Sequence, residues 1–556
     1  MRLHANTAMT TPPKKTDLDS VEGLLGRLEQ LNDIGAALSK ERDITRLLES
    51  ILLAAKGITR ADGGTIYSKG ANADHLKFEI LRNDSLHIAM GGSANAPIHF
   101  PDLPLINAAG APNDSLVAAY AAIHRVTINI EDAYTDPSFD FSGTREFDQH
   151  TGYRSRSFLT VPMCNQDGDV IGVLQLLNAM RPGSTEVVPF SKADQQLVES
   201  LASQAAIALN NRLLIKQLED LFESFISMIN LAIDEKSPYT GGHCQRVPTL
   251  TMMLAEAAVQ NQEGPLADFS MTEMDRYELK IAGLLHDCGK ITTPVHVVDK
   301  ATKLQTLYDR IDLIDTRFEV LKRDAEIAAL RQQLGLRPCV DDAAERAALA
   351  SLPNQLATLD AERGFLRATN SGGEFMSDAA VARVRRIASQ YQWRNAEGRQ
   401  ADFLSVEETE NLCIRKGTLT PAERDTINYH IVSTIRMLEK LPWPKHLRNV
   451  PEFAGGHHER MDGKGYPKGL KREQMSVQAR IMGIADIFEA LTASDRPYKP
   501  GMKLSQAIGI MARMKDGGHI DPDLFDIFIK QGVYLSYARA FVDPAQIDEV
   551  TLAASP

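Results

Sequence analysis

Apolar positions at Leu24, Leu28, Leu31, Ile34 and Leu38 recur every three to four residues, so the stretch from Asp17 to Gly57 predicts helix. The period then drops to two. Gly64-Thr65-Ile66-Tyr67 and Leu76-Lys77-Phe78-Glu79-Ile80-Leu81 alternate as half-buried strands do, with Gly70, Asn72 and Asp74 as turn residues between them. Ser157–Pro162 and Val170–Leu177 predict a second β pair around the turn Asn165-Gln166-Asp167-Gly168-Asp169. A helix opens at Ser191, a natural N-cap with Asp194 three residues on. Helix, sheet, loops, hairpin and helix in this order predict an α+β domain over residues 17–212, preceded by a disordered N-terminus at 1–16.

That last helix continues. Leu197, Leu201, Gln204, Ala208, Asn211, Ile215, Leu218, Phe222, Phe225, Ile229 and Ala232 step by four and three, as a coiled-coil seam does. Gln204 and Asn211 would fix register at some cost in stability. The reading is a coiled-coil linker helix over 194–236 that pairs two copies of the chain as a parallel homodimer. From Ser237 onward the pattern is helical, predicting an all-α domain over 234–550. Residues 301–417 stand apart within it. Leu304, Leu307, Ile311, Ile314, Phe318 and Leu321 step by three and four, breakers follow at Gly335, Pro338 and Asp341-Asp342, and Leu352, Leu356 and Leu359 resume the period. This predicts an inserted helical hairpin, then a less regular segment around Ser371-Gly372-Gly373.

Composition narrows the function. The chain of 556 residues carries a net charge of −12, which argues against non-specific wrapping of duplex DNA, a binding mode that needs many cationic phosphate contacts. Five cysteines without a C-x-x-C pair argue against a disulfide framework or a zinc ribbon. The first twenty residues lack the apolar core of a signal peptide, and no run approaches the ~18 apolar residues of a membrane span. The expectation is a cytoplasmic protein that binds neither DNA nor membrane.

The chemistry lies in the second half, in residues of metal-ligand type. These are His243, the adjacent pair His286-Asp287, His430, the adjacent pair His457-His458, and Asp486. His286 follows Ile281-Ala282-Gly283-Leu284-Leu285 and Asp486 follows Ile481-Met482-Gly483-Ile484-Ala485. Ionisable groups in such apolar helices are costly unless paired or bound to a cation. Mixed imidazole and carboxylate ligands suit iron, manganese, zinc or nickel. Asp287 can bridge two ions, and two ions ~3.5–4 Å apart stabilise attacking and leaving oxygens in phosphoester hydrolysis. Lys290, three residues after Asp287, can offer positive charge to a phosphate oxygen.

These residues carry a resemblance. His286-Asp287-Cys288-Gly289-Lys290 resembles the His-Asp motif of HD-superfamily phosphohydrolases. The run from His457 to Pro467, His-His-Glu-Arg-Met-Asp-Gly-Lys-Gly-Tyr-Pro, matches the H-H-E-x-x-D-G-x-G-Y-P signature of the HD-GYP subfamily at every specified position. Thr240-Gly241-Gly242-His243, Leu419-Thr420-Pro421 leading to His430, and Ala485-Asp486 followed by Arg496-Pro497-Tyr498-Lys499 agree as well. The resemblance implies a bacterial phosphodiesterase hydrolysing cyclic di-GMP to linear pGpG, with pGpG or GMP as the end product. It implies that His243, His286, Asp287 and Asp486 hold one metal and that His430 and His457 hold a second. Asp287 would bridge, and His458 would complete the cluster. It further implies that Lys290 assists at the scissile phosphate, that Gly465 and Tyr466 shape the pocket edge, and that Arg496 and Lys499 contact substrate. Relatives with three metals often carry Glu four residues before the first His, where this chain has Tyr239. The expectation is therefore a dinuclear centre of iron or manganese. A silent cyclic di-GMP receptor, or a hydrolase of another cyclic dinucleotide, are the competing readings.

The N-terminal domain resembles a GAF sensor through its Phe158–Asn178 hairpin and flanking helices. Of the N-K…F-x-x-x-D-E pattern of cyclic-nucleotide-binding members it keeps Asn178, Phe190 and Asp194, with Ala179 and Gln195 in place of Lys and Glu. Those three are the candidate ligand contacts, with a cyclic nucleotide or another small molecule as the ligand.

Overall fold

A computed structural model describes residues 27, 29, 31–70, 74–94, 96–236, 242–334, 342–372, 375–494 and 501–550. Residues 1–16, expected to be disordered, lie outside that set. The chain divides into two compact units, Met1–Phe222 and Glu223–Pro556. Among the described residues no helix is long and apolar enough to cross a membrane.

The first unit is an antiparallel sheet with helices on both faces. Its strands are β1 (Ala61–Ser68), β2 (His75–Asn83), β3 (Ile88–Gly91), β4 (Leu103–Pro104), β5 (Ile128–Ile130), β6 (Phe158–Cys164), β7 (Val170–Met180) and β8 (Val187–Val188). The order is β3-β2-β1-β7-β6-β5, with β4 beside β2 and β8 beside β7. Alternation, reset in β2 by a bulge between Phe78 and Ile80, decides which side chains face where. Ile66, Ile80, Val161, Leu174 and Leu176 pack with Ile51 and Leu52 of α1 (Ile44–Thr59) and with Leu197, Val198 and Leu201 of the long helix. Tyr67, Leu76 and Val173 turn to the other face, against Ala118, Ala119 and Ala122 of α2 (Val117–His124). The turn predicted between β6 and β7 is present, with Gly168 at φ 80° and Asn165 Oδ1 accepting from the amides of Asp167 and Asp169. α3 (Ser142–Thr151) lies between β5 and β6 in the chain.

The long helix is α4 (Lys192–Lys236), 45 residues or about 68 Å at 1.5 Å per residue. It starts as predicted, Ser191 Oγ accepting from the Asp194 amide. The seam read from the sequence shifts register, however. Leu197 and Leu201 are spent in the core of the first unit, while Ile207, Leu214, Leu218, Leu221, Phe225 and Met228 are left exposed. With Asn211 these step by four and three. A helix with two apolar faces satisfies the same spacing twice, and only burial distinguishes them.

The second unit is helical. Its framework is α5 (His243–Gln260), α6 (Glu273–Leu285), α11 (Pro421–Leu438), α12 (Val450–Gly455), α13 (Val477–Thr492), α14 (Leu504–Asp516), α15 (Pro522–Lys530) and α16 (Val533–Phe541). α5 packs on α6 and α13, and α12 on α6 and α11. The 3-10 turn Cys288–Thr292 presses onto α11. Gly289 permits that contact, since a Cβ there would lie 2.0 Å from the His430 carbonyl oxygen.

Residues between 304 and 412 pack around a core of their own, including Ile314, Phe318, Leu366, Val384, Ile387, Phe403 and Leu412. α7 (Ile311–Gln333) and α8 (Asp342–Asn370) form the predicted pair. The following segment is more regular than the sequence indicated. It holds α9 (Asp378–Gln390), a hairpin of β9 (Gln392–Arg394) with β10 (Gln400–Asp402), and α10 (Val406–Leu412). Side-chain caps at Ser377 and Ser405 restart helices after the glycines, and that local signal outweighs the break. The ends of the segment meet. Lys300 Nζ donates to Glu423 and Asn411 at 2.8 Å, and Thr418 Oγ1 donates to the Lys300 carbonyl.

Gly289→Ala is expected to cost about 2–3 kcal/mol of stability through overpacking against α11, read by denaturant unfolding, and to lower metal uptake with it.

Candidate metal centre

Three of the imidazoles are aimed by their own backbone. His286, at the C-terminal end of α6, donates from Nδ1 to the Gly283 carbonyl at 2.7 Å. His430 on α11 does the same to Ile427 and His457, just after α12, to Ala454, both at 2.6 Å. A carbonyl only accepts, so the proton is on Nδ1 and each Nε2 presents a lone pair inward. His243, the first residue of α5, uses Nδ1 toward Glu489 Oε2 at 2.5 Å. Glu489 also takes Arg246 at 2.6 Å and is 1% exposed. The Nδ1 partner of these four rings thus fixes their direction, the arrangement that metal-binding histidines use.

The inward atoms converge on Asp287. Its Oδ2 lies 3.1 Å from His243 Nε2 and 3.3 Å from His286 Nε2, while Oδ1 lies 3.3 Å from His430 Nε2. Asp486 Oδ1 is 3.3 Å from His243 Nε2, and the Nε2 atoms of His430 and His458 are 3.2 Å apart. Two groups emerge, each with ligand atoms within 4.8 Å of one another: His243, His286 and Asp287, and His430, His457 and His458. Asp287 Oδ1 and His457 Nε2 are buried without a hydrogen-bond partner among the described residues. Buried orphans of this kind, both electron-pair donors and each belonging to one of the two groups, fit a cation.

The electrostatics agree. Burial would raise the Asp287 carboxyl, but Lys290 and His286 outweigh it and hold it well below the usual range. Burial opposes the Asp486 charge too, and His243 overrides it. Burial pushes His458 down to about 4 and takes His457 well below its ordinary value, so both rings are neutral ligands at pH 7. His243 is the exception. Burial pulls it down, yet the Asp287, Asp486 and Glu489 carboxylates lift it well above the usual imidazole range. Lys290 Nζ sits 2.6 Å from Asp287 Oδ2, and that carboxylate keeps it charged against burial.

Of the other predicted residues, Tyr466 stacks on His458, ring centroids 4.9 Å apart, and its amide donates to the His458 carbonyl. Gly465 lets the loop close tightly, since a Cβ would lie 2.5 Å from Glu459 Cα. Arg496, Lys499 and Tyr239 lie outside the described residues. Sequence reasoning missed Glu489 and Glu459. Glu489 stands three residues after Asp486 on one apolar helix, a spacing that could have revealed it. Glu459 accepts from the Lys468 and Leu470 amides and so holds the loop around Tyr466.

In the first unit, a cavity of about 510 Å³ is bounded by the sheet and the starts of α2 and α3, lined by Tyr67, Phe78, Phe100, Phe147 and Phe158 among others. Asp140 is its one charged lining residue among the described residues. The three expected ligand contacts are not there, because they hold the fold. Asn178 accepts from the Arg156 and Ser157 amides and donates to Arg154 and Tyr153. Phe190 is core, and Asp194 takes Ser191 and Arg27.

Comparison with known families now gives this geometry a context. Residues 43–209 match the GAF domain, and residues 240–349 and 407–524 match HD domains. The chain thus joins an N-terminal GAF domain to an HD-type helical domain. It is 40% identical over 121 residues to a cyclic di-GMP phosphodiesterase of Pseudomonas aeruginosa, 22% of this chain and 28% of that one. Against a 3′3′-cGAMP-specific phosphodiesterase of Vibrio cholerae it is 43% identical over 81 residues, 15% and 19% of the two chains. Against a cyclic di-GMP phosphodiesterase of Thermotoga maritima the figures are 33% over 121 residues, 22% and 32%. The aligned stretches therefore span from about a fifth to a third of these relatives.

An ion entering beside His243 must displace the proton that the carboxylates hold there. Because that pKa is raised, metal affinity is expected to climb with pH through and beyond the ordinary imidazole range, with a proton released on binding. Manganese titration in weak buffer with a pH electrode checks this.

Proposed function

We propose that this chain is an HD-GYP phosphodiesterase, dependent on a dinuclear iron or manganese centre, that opens cyclic di-GMP to linear pGpG, with pGpG or GMP as the end product. The observation that carries the reading is Asp287, with one carboxylate oxygen toward each imidazole group. Two ions held there would supply Lewis acidity toward a phosphodiester and an activated water at neutral pH. His243, His286, Asp287 and Asp486 would hold one, and His430, His457 and His458 the other. Lys290 stands beside Asp287 to offset charge growing on the phosphate. The Gly463–Pro467 loop, with Tyr466 over His458, would bound the pocket for a base or ribose, and the resemblance makes Arg496 and Lys499 further substrate contacts.

Hydrolysis by chain purified anaerobically with iron or manganese tests this. Wild type is expected to yield linear product, Asp287→Ala none, and Lys290→Met a kcat lower by about 10²-fold. The 3′3′-cGAMP relative makes that dinucleotide the competing substrate for the same assay. Binding without turnover under every metal would favour a silent receptor.

The GAF cavity supports a small ligand without phosphate, since it offers aromatic rings and one carboxylate rather than cations. The exposed stripe from Ile207 to Met228 supports a parallel homodimer through α4, in the register that burial defines. Leu218→Asp with Phe225→Asp is expected to yield a monomer by sedimentation, and Leu197→Asp to unfold the first unit instead.

A further inference from the structure

The C-terminal end of α4 belongs to the second unit. Ile226, Asn230 and Ile233, spaced by four and three, are buried there, while Leu221, Phe225 and Met228 on the other side are exposed. Just past the buried face, the Asp234 carboxylate accepts the backbone N–H of Gly242, the residue before His243. The other Asp234 oxygen, Oδ1, is buried with no hydrogen-bond partner among the described residues. Two residues on, the Lys236 ammonium donates to the carbonyls of Lys290, at 3.3 Å, and Ile291. Those carbonyls belong to the 3-10 turn that begins directly after Asp287 and contains Lys290.

We infer that Asp234 and Lys236 are positioning residues for the centre. Asp234 sets the start of α5 and hence His243, and Lys236 sets the turn that carries Lys290. The two grips sit within one helical turn of each other and hold backbone rather than side chain. A slide or rotation of the α4 end therefore moves His243 and Lys290 in one step, while α5 and α6 stay packed on each other. The inference rests on reading the cluster as a metal centre and gives regulation a route into it, through two hydrogen-bonded anchors.

The full chain loaded with Co(II) tests this without substrate. Asp234→Ala is expected to weaken Co(II) binding about tenfold and to change the ligand-field spectrum, the range seen for groups that orient ligands. Asp234→Asn, whose carbonyl still accepts the Gly242 amide, should restore both. Lys236→Met is expected to leave the Co(II) spectrum intact but to weaken inorganic phosphate binding to the loaded chain about tenfold, with Lys236→Arg restoring it. Wild-type behaviour in the Ala and Met variants overturns the inference. So does failure of the conservative replacements to rescue alongside a lowered Tm, which marks a role in folding only. A wild type that binds Co(II) and phosphate yet hydrolyses no cyclic dinucleotide refutes the proposed activity and leaves these readouts in force.

Discussion

The second unit is organised around one carboxylate. Asp287 is 2% exposed and stands between two imidazole groups, and a buried anion in that position is tolerable only because cations face it. Everything nearby serves that condition. Gly289 gives up its side chain so that the turn after Asp287 can reach α11 and bring His430 to Oδ1. Lys290 closes back on Oδ2. Removing the aspartate would leave imidazole nitrogens facing one another across a dry space.

The helices contribute their ends more than their faces. His286 and His457 sit where helices finish, and there the carbonyl three residues back is free to take the Nδ1 proton. His243 sits where a helix starts, with no such carbonyl behind it, and a buried glutamate from α13 does the same work. One orientation rule is thus met by two chemical means, and His430, within α11, meets it through the Ile427 carbonyl as the helix ends do.

Much of this was legible beforehand. Ligand types in apolar helices, paired as His-Asp and His-His, identified the centre because burying such groups is expensive enough to demand a reason. Sheet, hairpin turn and helix start were legible from period and turn chemistry. Two things were not. The use of Leu197 and Leu201 as core was hidden, because Leu197 and Leu218 obey the same period while one packs on the sheet and the other is exposed. Asn178, Phe190 and Asp194 read as ligand contacts because a pattern of residue types does not say whether a side chain faces a cavity or ties down a loop. Asn178, at φ 56° with four side-chain hydrogen bonds, ties down a loop.

The joined ends at Lys300 and Thr418 change what the segment between them means for the rest of the unit. To the helices that carry the ligands it is topologically one connection, and the entropy of closing a connection grows only with the logarithm of its length. More than a hundred residues with a private core therefore burden the centre little more than a short loop would. Such a graft is free to diverge in sequence, surface and size while His286 and His430 keep their places, which makes that stretch the part of the chain where lineages can differ most without touching the chemistry.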